Sequence, residues 1–274
     1  MNADLRGRHD LGEIVGYAYR LYARNFTPLF LIAAVTIPLQ LLIGVIQQGS
    51  SGDEAQVAAS LLNIPAAIVG LIASAALIFA VHDATGGTAP DFGRSLDAAF
   101  ERFGAVFKTS LLAGMLAILA LGAAPALAIY WLVKRDAAVD GQRNWWFALV
   151  PGVLAIYLIV RWAFIQQSVM IEARRNWAAL DESAAIVRGS WWRTVGVLLV
   201  VALIQLGPLM MSSAATLLPP LASAAVTSIV FALVIPFPVT AQTLLYYDLK
   251  ARKQPDVSAD RLPAAEQDVP RQGP

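Results

Sequence analysis

The chain has 274 residues, 58% of them hydrophobic and 14% charged, with a formal net charge of +1. A soluble domain is about 45–50% apolar and about 25% charged, so this chain has too little polar surface to face water all round and belongs in lipid. Its balanced charge offers no clustered basic face for phosphates, which excludes a nucleic-acid partner, and the absence of cysteine excludes disulfides, thiolate nucleophiles and Cys-ligated zinc.

The opening MNADLRGRHDLGEIVGYAYRLYARNF lacks the apolar core and small-residue cleavage site of a signal peptide, so no cleavage is expected. Residues 1–9 read as a short tail. From residue 10, Ile14, Val15, Ala18, Leu21 and Tyr22 recur at helical spacing, with Asp10 and Glu13 as a capping pair. This amphipathic helix leads into the first apolar segment.

Crossing about 30 Å of hydrocarbon takes about 20 residues. Six segments are long enough: 26–46, 61–81, 109–133, 146–170, 195–215 and 221–247. The connections QQGSSGDEA and SSAATLLPP contain neither Lys nor Arg, and KRDAAVDGQR holds Lys134, Arg135 and Arg143. The opposite set is richer in cations: Arg6, Arg8, Arg20 and Arg24; Arg94, Arg102 and Lys108; Arg174, Arg175, Arg188 and Arg193; Lys250, Arg252 and Lys253. Because cytoplasmic loops collect Lys and Arg, both termini are expected in the cytoplasm of a bacterium, with the chain multi-pass in the inner membrane.

Two more amphipathic helices are expected on that side. One, over DFGRSLDAAFERFGAVF, has the stripe Phe92, Leu96, Ala99, Phe100, Phe103 and Phe107, and the other has Leu180, Ala184, Val187 and Trp191. Arg20, Arg102 and Arg188 take matching places about 85 residues apart, which points to three units of amphipathic helix plus hairpin. The fold class is all-α: a polytopic bundle of six transmembrane and three interfacial helices.

Small residues let helices approach closely in lipid. Ala66, Gly70 and Ser74, then Ala120, Ala124 and Ala128, then Ala224, Ser228 and Ala232 form such ridges. Pro38, Pro65, Pro125, Pro151, Pro208, Pro236 and Pro238 interrupt the segments, and each removes a backbone donor. Ordinary kinking is the expectation, with transporter-style broken helices as the alternative.

Arg161 lies nine residues before the end of the fourth segment, about 13 Å along the axis, so a snorkelling side chain falls short of the interface. It is expected to face the bundle interior. Its candidate partners are Gln40, Gln166, Gln205, Gln242, Glu172, Asp83 and Asp248. In one reading Arg161, with Glu172, Gln205, Gln242 and Asp248, holds an anionic ligand such as a lipid headgroup; in the other it locks helices together through buried hydrogen bonds. Glu172 lies about 16 Å further along the axis, too far for a direct pair in one straight helix.

The stretch RWAFIQQSVMIEARRNWAALDESAAIVRGSWWRTVGVLLV resembles bacterial six-span integral membrane proteins of the YciC type and the related membrane domain of some glycerophosphodiester phosphodiesterases. The matching positions are Arg161, Glu172, Ala179, Ser183, Arg188, Gly189, Trp192 and Arg193. LGEIVGYAYRLYARNF and LLYYDLKARK resemble the family's beginning and end, so the resemblance covers most of residues 10–253. It implies the fold and membrane placement, and no phosphodiesterase chemistry.

No catalytic constellation is evident. His9 and His82 each precede Asp without further clustered ligands, DFG at 91–93 lacks every other kinase element, and Gly86-Gly87 lacks a following Lys-Ser/Thr. Asn25-Phe-Thr27 reads as an accidental glycosylation match, and Asp181-Glu182 as acidic residues suited to a helix start. No enzyme, cofactor or metal is expected. Trp145, Trp146, Trp191, Trp192, Tyr246 and Tyr247 read as interfacial anchors. Residues 254–274 are polar and proline-bearing and read as a disordered cytoplasmic tail. Two functions remain open: a non-catalytic envelope or partner-binding protein contacting the bilayer, anionic headgroups or another membrane protein, and a small permease or lipid-handling protein.

Overall fold

The computed structural model describes residues 10–49, 52–134 and 146–253, with side chains left aside at Leu11, Ala55, 123–134 and 146–151. The expected tails, Arg135, Arg143, Trp145 and the side chains of Ala124, Ala128, Pro125, Pro151, Lys134 and Trp146 therefore lie outside the described residues.

Among the described residues every regular element is a helix. They are α1 (Leu11–Arg24), α2 (Phe26–Ala34), α3 (Ile37–Gly49), α4 (Asp53–Thr85), α5 (Phe92–Lys134), α6 (Trp146–Arg161), α7 (Ile165–Glu172), α8 (Trp177–Val187), α9 (Trp191–Ala215), α10 (Pro220–Val234) and α11 (Pro236–Lys253). Five helical segments are long and apolar enough to cross a membrane, and six when α2 and α3 count as one bent span. The polytopic helical bundle is as the composition requires.

α1 buries Ile14, Ala18 and Leu21 along the expected stripe, and its Asp10–Glu13 capping box is formed. α8 likewise buries Leu180, Ala184 and Val187. α5 differs from expectation. Its 43 residues run about 64 Å, roughly twice the hydrocarbon thickness, so the amphipathic part and the span form one continuous helix. Its buried face is Ser95, Ala99, Val106, Thr109 and Ala113, while Phe92, Phe100 and Phe107 of the expected stripe point outward. Close approach requires small side chains on the contact face, and aromatic rings are no liability on a surface that meets lipid.

Helical structure is interrupted partway along three spans, and only the first bends by more than 40°. α2 and α3 meet at a 47° bend around Val35 and Thr36. α10 gives way to α11 at Ile235. The cause of both is proline: Pro38 and Pro238 each deprive the residue four positions earlier, Ala34 and Val234, of a helical donor, and those are the last residues of α2 and α10. The third break, residues 162–164 between α6 and α7, contains no proline. Ser183, fully buried on α8, satisfies it: its hydroxyl donates to the Arg161 carbonyl at 3.0 Å and accepts from the Phe164 N–H at 3.1 Å. Pro65 and Pro208 are accommodated inside continuous helices.

The expected small-residue ridges divide. Ala224, Ser228 and Ala232 are buried, and Ala224 approaches Gly44 of α3 so closely that a Cβ on Gly44 would stand 2.8 Å from the Ala224 Cβ. On α4, Ala66 is buried, while Gly70 and Ser74 line cavities, Ser74 also donating to Gln166 of α7.

Candidate functional site

The charged residues gather where the ends of α4, α7 and α11 meet the N-terminal parts of α5 and α9. Glu172, at the end of α7, accepts from Lys250 at 2.5 Å and from the Tyr246 hydroxyl, and Arg174 stands 3.8 Å away. Asp248, 0% exposed, pairs with Arg193 at 2.8 Å and Arg252 at 3.1 Å. His82 Nδ1 is hydrogen-bonded to the Tyr247 hydroxyl, and Arg102 donates to the Met170 carbonyl. Asp83 pairs with Arg94 at 2.7 Å. These contacts join α4, α5, α7, α9 and α11 into one polar layer. Tyr246 and Tyr247 are buried within it, which corrects their reading as interfacial anchors: each hydroxyl has an internal hydrogen-bond partner, so the rings pack inward. Trp192, 80% exposed, does fit an anchor.

Arg161 stands apart from that layer. Its guanidinium donates to the Tyr157 hydroxyl at 2.7 Å and lies 5.8 Å from that ring's centre, one turn back on the same helix. Its carbonyl, not its charge, makes the link to another helix, through Ser183. The arrangement does not bring Arg161 together with Glu172, Gln205, Gln242 or Asp248. Gln205, on α9, keeps a buried Oε1 without a hydrogen-bond partner. The three matched arginines also differ in role: Arg20 stacks 4.6 Å over the Tyr17 ring, Arg102 meets a carbonyl, and Arg188 caps the end of α8.

Two cavities lie at the helix interruptions, and among the described residues no charged residue lines either. The larger, about 510 Å³, is bounded by Trp162 and Ala163 of the fourth-span break and by α4, α5, α6, α7 and α11. Its polar wall is Ser74, Ser110, Gln166, Gln167 and Gln242. Ser74 donates to Gln166 Oε1 at 2.5 Å. Gln167 is 2% exposed and its Oε1 has no hydrogen-bond partner, an arrangement that costs about 1–3 kcal/mol in an interior. The smaller cavity, about 360 Å³, is bounded by both other breaks, at Thr36 and Ile235, with Gln40, Gln47, Gln48, Thr227 and Ser228 around it.

No protein-family model, curated protein or solved structure matches the chain. The geometry therefore stands by itself. It offers neutral hydrogen-bond donors and acceptors inside an apolar bundle, and among the described residues no group of three or more His, Asp or Glu that could hold a metal.

Of the candidate polar partners singled out from sequence, Gln166 and Gln242 line the larger cavity and Gln40 the smaller. Gln167 and Ser183 were missed as site residues. The signal for Gln167 was present: an amide in an apolar stretch is costly to bury without a partner.

Proposed function

We infer that this protein is a non-catalytic multi-pass membrane protein of the YciC type that receives an uncharged ligand within the bilayer, as a small permease or lipid-handling protein does. One observation carries the reading: all three interrupted spans place their interruptions, the sharpest being the 47° bend between α2 and α3, on the walls of cavities lined by neutral polar groups. Non-helical backbone at membrane depth is tolerated where it is buried in protein or lines a cavity, and broken helices frame the sites of many transporters. The anion-site reading of Arg161 is less well supported, because that guanidinium is engaged by Tyr157 and lines neither cavity.

The orientation proposed is the one that leaves the polar layer, α1 and α8 in the cytoplasm, with residence in a bacterial inner membrane. The excess of Lys and Arg around these ends supports it. Reporter fusions at Gly52, Gly141 and the C-terminus test the orientation, with the first two expected outside. Mass spectrometry of small molecules and lipids retained by the purified protein, compared with Arg161→Leu, tests the function. The expected result is retention of an uncharged compound by both proteins. Retention of an anion by the wild type alone would return the site to Arg161.

A further inference from the structure

The larger cavity is most polar on one wall. The side formed by α5 and α6 is apolar but for Ser110 and built from small residues, Ala113, Gly114, Ala117 and Ala155, beside Leu158 and Ile159. Ile159 is 64% exposed and Gly114 is also exposed, so the apolar side opens between α5 and α6 onto the outer face of the bundle, where a bilayer's acyl chains would lie. The opposite, inner wall carries the amides of Gln166, Gln167 and Gln242.

This polarity gradient is that of an amphiphile lying in the groove, with its chain outward and its head inward. The head must be uncharged, since none of the described residues lining the cavity can neutralise a phosphate or carboxylate and desolvating an unpaired ion is prohibitive. It must also offer hydrogen bonds, because the inner wall carries the side-chain amides of Gln166, Gln167 and Gln242.

We propose that the groove between α5 and α6 binds a lipid with a free hydroxyl and no charge, of the acylglycerol class, with the hydroxyl hydrogen-bonded to the amides of the inner wall. This rests on the ligand-binding reading above and names its ligand. The smaller cavity has amides and hydroxyls along α3 and α10 and serves as the internal comparison.

The test uses the full chain in nanodiscs with a monoacylglycerol carrying a diazirine beside the glycerol, and maps the crosslinked residues by mass spectrometry. Crosslinks are expected within 110–121, 155–167 or at Gln242, reduced by unlabelled monoacylglycerol and at least tenfold less sensitive to lysophosphatidic acid of the same chain length. Gln167→Leu should lower labelling about tenfold, and Ala117→Trp should block the groove while leaving the amides in place. The wild-type map and competition decide the matter even if a variant misfolds. Equal competition by lysophosphatidic acid overturns the inference, since it requires a charged subsite. Crosslinks confined to the α3 and α10 cavity overturn it but leave the broader reading standing; crosslinks at neither cavity overturn both.

Discussion

Ser183 and Arg161 are joined by a hydrogen bond from a hydroxyl to a main-chain carbonyl, and that bond holds open a break in a membrane helix. The same oxygen accepts from Phe164 N–H. A break without proline needs such a partner, because the freed backbone groups have no water to turn to. Ser183→Ala is expected to destabilise the protein by about 1–3 kcal/mol, the cost of stranding a buried donor and acceptor. Thermal unfolding in detergent reads the loss, and Ser183→Thr should recover part of it.

The contact between Gly44 and Ala224 fixes how close α3 and α10 approach. Gly44→Ala places a methyl 2.8 Å from the Ala224 Cβ, inside contact distance, and overpacking of this kind costs about 1–3 kcal/mol. Adding Ala224→Gly should restore most of the stability. A double-mutant cycle measures it, and the coupling is expected to exceed 0.5 kcal/mol, about the least found for residues in contact.

Asp248 is wholly buried between two arginines. Asp248→Ala leaves the half-buried Arg193 without its carboxylate, and removing one partner of a buried pair costs about 3–5 kcal/mol. Arg193→Ala should cost less, since Arg252 remains 3.1 Å from Asp248. Unfolding midpoints of the two variants should fall in that order.

Gly189 turns the chain between α8 and α9 at φ 84°. A left-handed conformation costs an ordinary residue about 1–2 kcal/mol. Gly189→Ala should destabilise by about that amount and Gly189→Asn by less, as read by thermal unfolding.

Much of this architecture is legible in the residues themselves. The spans follow from uninterrupted apolar length, and the first and last breaks from Pro38 and Pro238, because both signals are local. The break at 162–164 depends on a serine about 20 residues further on, and the pairs Glu172–Lys250 and Asp248–Arg193 join helices separated by 78 and 55 residues. Sequence spacing cannot choose among such partners. Arg161 was expected to reach across the bundle, yet its partner was one turn away at Tyr157, a neighbour that helical geometry places within reach. The aromatic stripe of α5 was read as the apolar face of a separate interfacial helix; within one continuous helix, Phe92, Phe100 and Phe107 point outward and small residues take the contact face.

The most direct measurement exploits the absence of cysteine from the chain. Single cysteines replacing Ser74, which lines the larger cavity, and Ala76, which is fully buried two residues on, are exposed to a small uncharged methanethiosulfonate reagent in intact membranes. Ser74→Cys should react and be protected by monoacylglycerol, while Ala76→Cys stays inert. Equal inertness at both positions, or equal reactivity unaffected by the lipid, would contradict a ligand-accessible cavity at the fourth-span break.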